Sequence, residues 1–110
     1  MVTFIESPTF TRQIIASMSD AEYAEFQQAL AARPEAGNVV PGLGGLRKVR
    51  WRAQGKGTRG GARVIYLFLV GPAVIYLFYA YTKGRMADLS AEQKRRLRLA
   101  VDAIKAEFEE

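Results

Sequence analysis

Val64 to Tyr81, VIYLFLVGPAVIYLFYAY, is a run of 18 residues without a charge. A membrane-spanning helix needs about 20 apolar residues, so length alone leaves that reading open. Gly71-Pro72 at its centre, the density of Val, Ile, Tyr and Phe, and the tyrosines in mid-span all argue against a helix. Arg63 to Val70 and Ala73 to Tyr81 read instead as two strands of a buried β-hairpin turning at Gly-Pro. Both faces of these strands are apolar, so the hairpin belongs in the middle of a sheet with cover on both sides.

Local signals along the chain supply the rest. Val2 to Ile5 is a β-branched and aromatic run, suited to an edge or first strand. Ser7-Pro8 reads as an N-cap with proline at the first helical position, and Phe10, Ile14 and Met18 form one stripe of the helix that follows. Ser19-Asp20-Ala21-Glu22 is a capping box, with Met18 and Tyr23 placed as its hydrophobic staple. It opens a second helix with an apolar face of Tyr23, Phe26 and Leu30, which Pro34 ends. Residues 36–45, AGNVVPGLGG, read as loop. A strand from about Leu46 to Arg52 alternates, with Lys48, Arg50 and Arg52 on one face and Val49 and Trp51 on the other. Ser90-Ala91-Glu92-Gln93 is a second capping box, opening a helix with a core stripe of Leu97, Val101, Ile104 and Phe108. The order is β-α-α-β-β-β-α, an α+β domain with a small, mostly antiparallel sheet. At 110 residues it is expected to be one domain. The N-terminus, MVTFIESPTF, lacks the basic head and apolar run of a signal peptide.

Charge is concentrated in one place. Leu46 to Arg63, LRKVRWRAQGKGTRGGAR, carries Arg47, Lys48, Arg50, Arg52, Lys56, Arg59 and Arg63 and no acid. The whole chain has 16 Lys and Arg against 11 Asp and Glu; without this stretch the balance is 9 against 11, or −2. A local positive field suits a polyanion or an acidic protein partner, and the bland alternative is a solvated strand face. GKGTRGG is not a nucleotide-binding phosphate loop, because GxxxxGK[ST] is absent. Tyr66, Phe68, Tyr76 and Phe78 read as core rather than as a base-stacking platform.

Hairpin geometry gathers the cations. With Gly71-Pro72 as the turn, the start of the Arg63 strand lies beside the end of the Tyr81 strand. If the loop from Ala53 to Gly61 returns the chain antiparallel, Arg52 lies beside Arg63. Arg50, Arg52, Arg63, Tyr81 and Lys83 then meet at one edge of the sheet, with Lys48 about 7 Å further in. Such a cluster can hold phosphates through charge and arginine forks. Cleaving a phosphodiester also needs a base for the attacking hydroxyl and an acid for the leaving oxygen. The chain has neither His nor Cys, so thiolate zinc sites are excluded and proton transfer falls to Lys, Tyr, Asp or Glu. In RNA the nucleophile can be the substrate's own 2′-hydroxyl, and no metal or cofactor is expected. A lysine among other cations releases its proton more readily, which makes Lys48 or Lys83 a candidate carrier. Tyr81 could stack on a base or donate a proton. The glycines around Lys56 and Arg59 would let that loop follow an RNA or ribosomal surface.

Three blocks, GGLRKVRW, GKGTRGGARVIY and IYLFYAYTKGRMADLS, resemble the RelE/HigB-like toxins of bacterial type II toxin–antitoxin systems. The resemblance runs from about residue 35 to the C-terminus, and the element order agrees throughout. It implies a RelE/ParE-like fold and a small cytoplasmic toxin, not a membrane protein, that cleaves mRNA in the ribosomal A site and inhibits translation. It also implies an antitoxin encoded beside it, of helix-turn-helix type. On this resemblance Lys48 and Arg50 match positions with base and phosphate roles, and Arg63 matches the arginine that steadies the scissile phosphate. Lys83, or Arg85, matches the basic residue serving the leaving group. Arg47, Arg52, Lys56, Arg59 and Arg85 would contact RNA or the ribosome. Two departures are visible: some members carry lysine where this chain has Arg50, and a tyrosine near the last helix is Leu89 here. The alternatives are a ParE-like toxin that binds DNA gyrase and a non-catalytic basic module.

Overall fold

The apolar stretch folds as its composition requires, into a β-hairpin at the heart of a sheet. The computed structural model describes residues 1–52, 61–82 and 89–108. Its elements are β1 (Thr3–Glu6), α1 (Pro8–Ser17), α2 (Asp20–Ala32), β2 (Asn38–Val39), β3 (Arg47–Trp51), β4 (Ala62–Leu69), β5 (Val74–Thr82) and α3 (Ala91–Phe108). The five strands lie in the order β1-β5-β4-β3-β2; β1 runs parallel to β5 and the other pairs are antiparallel. Among the described residues no helix is long and apolar enough to cross a membrane.

The hairpin turn spans residues 70–73. The Ala73 N–H donates to the Val70 carbonyl at 3.2 Å, and Ala73 itself takes the left-handed conformation, φ 57°. Further along, the ladder passes from Ile65–Tyr79 to Tyr66–Leu77, so Phe78 is an extra residue in β5. This bulge turns Phe78 and Tyr79 toward the same side of the sheet, where both join the core beneath α3. The Ser7 hydroxyl donates to the Phe78 carbonyl at 2.8 Å while accepting the Phe10 N–H at 3.0 Å. One side chain thus caps α1 and satisfies the bulge. Beyond β1's end, Gln13 of α1 accepts the Ala80 N–H at 2.8 Å.

Each face of the sheet has its own core. Phe10 and Ile14 from α1 and Met18 just beyond its end, with Phe26 and Leu30 from α2, cover Val64, Tyr66, Ile75 and Leu77. Leu97 and Val101 of α3 cover Leu46, Ile65, Leu67 and Tyr81 on the other face. Ser19–Glu22 forms a reciprocal capping box at α2, and Ser90 and Gln93 bond to each other in the same way at α3. The expected α3 stripe ends early, since Phe108 is 38% exposed. The loop expected over 36–45 also contains β2, whose two residues pair with Lys48 and Arg47. A pair so short has no periodicity to read, and only the presence of β3 beside it makes it a strand.

Candidate functional site

Strand register decides which cations meet. Arg50 of β3 stands opposite Arg63 of β4, and Arg63 stands opposite Tyr81 of β5. Directly opposed residues project from the same face of a sheet. The expected partner of Arg63 was Arg52, so the observed pairing is slipped by two residues. Because the side-chain period is two, that slip preserves the face. A second row on that face is Lys48, Ile65 and Tyr79.

Exposure changes steadily along this face of β3. Leu46 is fully buried beneath α3, Lys48 is half-buried and Arg50 is exposed. In the same row as Arg50, Arg63 is 6% exposed and Tyr81 4%. Arg63 is the one charged side chain this deep among the described residues, and its Nη1 donates to the Gly61 carbonyl at 3.3 Å. Among the described residues no acidic side chain forms an ion pair with Arg50. Like charges directly opposed across strands cost stability. An anion seated over the row would offset that cost, and a phosphate suits the planar forks of two guanidinium groups.

Two of the remaining cations lie elsewhere. Arg52 was expected on the Lys48 and Arg50 face, but β3 ends at Trp51 and Arg52 lies beyond it, outside the strand's alternation. Its guanidinium reaches Glu25 of α2 at 3.0 Å and lies 5.6 Å from the centre of the Trp51 ring. Strand alternation puts Arg47 on the α2 side of the sheet. Its Nη1 donates to the Gly37 carbonyl at 2.8 Å and the Glu35 carbonyl at 3.2 Å, and its Nη2 lies 3.7 Å from the Glu35 carboxylate. Arg47 thereby fastens the segment that leads from α2 into β2. Lys56, Arg59, Lys83 and Arg85 lie outside the described residues.

Asn38 was not anticipated. It is exposed, pairs with Lys48, and with Ala36, Lys48, Val49 and Arg50 lines an open depression of about 430 Å³. Its only sequence signal was a polar residue before Val39-Val40 inside a glycine-rich stretch. Lys48, Arg50 and Asn38 offer cations and an amide around one surface, whereas the Tyr81 hydroxyl, expected to reach a base or donate a proton, is buried beneath it. That inventory can bind a phosphodiester, neutralise charge developing on it, and carry a proton on lysine.

No family model matches the sequence. Among solved structures, the chain is similar to the toxin RelE of E. coli in the free state, a double arginine-to-alanine mutant. The TM-score is 0.55 and the identity 13%, over 78% of this chain and 87% of that one. The likeness is one of fold: this chain has a RelE-like α+β architecture of three helices and a mixed five-stranded sheet among its described residues.

Proposed function

We propose that this protein is the toxin of a toxin–antitoxin pair and that it cuts mRNA on the ribosome without a metal. The observation that carries the reading is the row Arg50–Arg63–Tyr81, with Lys48 on the same face. Arg50 and Lys48 bind the scissile phosphate from solvent, and buried Arg63 holds positive charge behind them. The 2′-oxygen of the preceding ribose attacks phosphorus, and the bond to the 5′-oxygen of the next nucleotide breaks. The 2′-hydroxyl proton passes to a base, and the leaving oxygen receives one from an acid. Lys48 and Lys83 are the groups to which those transfers fall, and buried Tyr81 supports the row from behind. Charge on the equatorial oxygens is stabilised by guanidinium groups set in place before the reaction, which needs no reorganisation at the moment of reaction. Such a toxin acts in the cytoplasm and is restrained by a cognate antitoxin.

Expression of the protein alone tests this. Growth arrest accompanied by mRNA cleavage is the expected result, and Arg50→Ala relieves both. Arg63→Ala should do the same, but its burial makes a folding defect a competing cause. Arg63→Lys, which keeps the charge and loses the fork, is therefore run beside it with circular dichroism on each variant. Growth arrest with intact mRNA would sink the proposal; gyrase-linked DNA damage in its place would point to a binding toxin.

A further inference from the structure

Beside the basic depression lies a second one, of opposite character. Phe26, Ala29 and Leu30 of α2, with Val49 and Trp51 of β3, line an apolar depression of about 150 Å³. Arg33 and Ala36 complete its rim. The two depressions share Ala36 and Val49, so they meet across the outer edge of β3. β2 pairs only with Arg47 and Lys48. Among the described residues no strand pairs with the outer edge of Val49–Trp51. A strand edge without a pairing strand can accept an extended peptide, whose side chains alternate between the two sides.

We infer that this edge is a docking track for an extended segment of a partner protein in which apolar and acidic residues alternate. Apolar side chains enter the depression against Phe26, Leu30 and Trp51, where aromatic and aliphatic walls exclude water. Acidic side chains fall on the other side, over Lys48 and Arg50. The choice of acid follows from charge: among the described residues neither depression is lined by a carboxylate, while Arg33, Lys48 and Arg50 all border the track. A carboxylate placed there occupies the position of a phosphate, so docking also closes the site to RNA. That consequence, unlike the docking itself, rests on the nuclease reading above.

Trp51 is the single tryptophan of the chain and lies in the apolar depression, so it reports on the track directly. The probe is a short synthetic peptide alternating glutamate with leucine, added to the full-length protein. It is expected to shift Trp51 emission to saturation and to inhibit mRNA cleavage. Peptides with lysine in place of glutamate, or serine in place of leucine, bind at least about tenfold more weakly. Ala29→Glu puts a charge into the apolar depression from an exposed position of α2 and weakens the glutamate–leucine peptide about tenfold, leaving cleavage unchanged. Equal binding by the lysine peptide, or indifference to Ala29→Glu, would overturn the inference. So would a Trp51 shift that follows protein concentration and dimer formation, or one produced equally by an RNA oligonucleotide. If the protein binds the peptide as described but cuts no mRNA, docking stands and the nuclease reading falls. If it cuts mRNA and ignores the peptide, only the docking falls.

Discussion

The Tyr66 hydroxyl accepts the backbone N–H of Gly37 at 2.9 Å. The same hydroxyl donates to the Pro34 carbonyl at 2.7 Å. A core strand thus anchors the segment that carries α2 into β2. There is no room for anything larger at position 37, since an added Cβ would stand 2.9 Å from Tyr66 Cε1 and 3.0 Å from the Lys48 carbonyl. Tyr66→Phe leaves the buried Gly37 N–H and the part-buried Pro34 carbonyl without this partner and costs about 1–3 kcal/mol. The expected loss in a thermal melt is roughly 4 °C per kcal/mol. An unchanged Tm would refute the anchoring role.

A second tyrosine makes stability depend on pH. The Tyr23 hydroxyl donates to the Glu6 carboxylate at 2.6 Å, and Thr11 donates to the other oxygen at 2.7 Å. Burial, then the hydrogen bond and charge of Glu6, push the Tyr23 phenol far above its ordinary value. The folded state therefore holds this proton more tightly than the unfolded chain. Its stabilising contribution is complete below about pH 10, where the unfolded phenol is still protonated, and declines as pH rises beyond that. Urea titrations from neutral pH to pH 11 should show stability falling above pH 10 in the parent. Tyr23→Phe should be weaker at neutral pH and show a shallower decline. Burial raises Tyr66 in the same direction, so the decline should not vanish. Identical slopes in parent and variant would be the contrary result.

Gly61 immediately precedes β4 and lies tight against the backbone at the end of β3. A Cβ there would collide with the Trp51 carbonyl and press on the Arg52 backbone. Gly61→Ala must separate the two strands next to the Arg50–Arg63 pair, at an overpacking cost of about 1–3 kcal/mol. Its effect on mRNA cleavage at a temperature where the variant remains folded should exceed that of an equally destabilising core change such as Ile75→Val. Equal activity in two such variants would mean that the row tolerates displacement.

Salt separates phosphate contacts from structural cations. RNA affinity should fall linearly on a double-logarithmic plot against salt, and Lys48→Ala or Arg50→Ala should each lower the slope by about 0.7. Arg47→Ala and Arg52→Ala should leave the slope unchanged, because those side chains are turned toward Glu35 and Glu25. A reduced slope with Arg52→Ala would return that residue to the RNA surface.

Much of this architecture was legible in the chain. Ser7-Pro8 and the two capping boxes are local hydrogen-bond patterns, so they survive whatever the tertiary context does. The hairpin was legible because β4 and β5 are apolar on both faces and interrupted once. The register of β3 against β4 was not: it passes through a glycine-rich connection whose path no local preference sets. Hence Arg50 rather than Arg52 faces Arg63. Nor could alternation anticipate the Phe78 bulge, which depends on Ser7 reaching its carbonyl from another strand's end.

The order of apolar, glycine-rich and basic segments by itself determined that a buried hairpin would bring a positive strand beside it, because hydrophobic burial and charge are properties each residue carries alone. Which cation faces which, which are neutralised by Glu25 and Glu35, and how deep Arg63 sits were decided only by the tertiary structure. Those are distances between residues far apart in sequence, and only the packed sheet sets them.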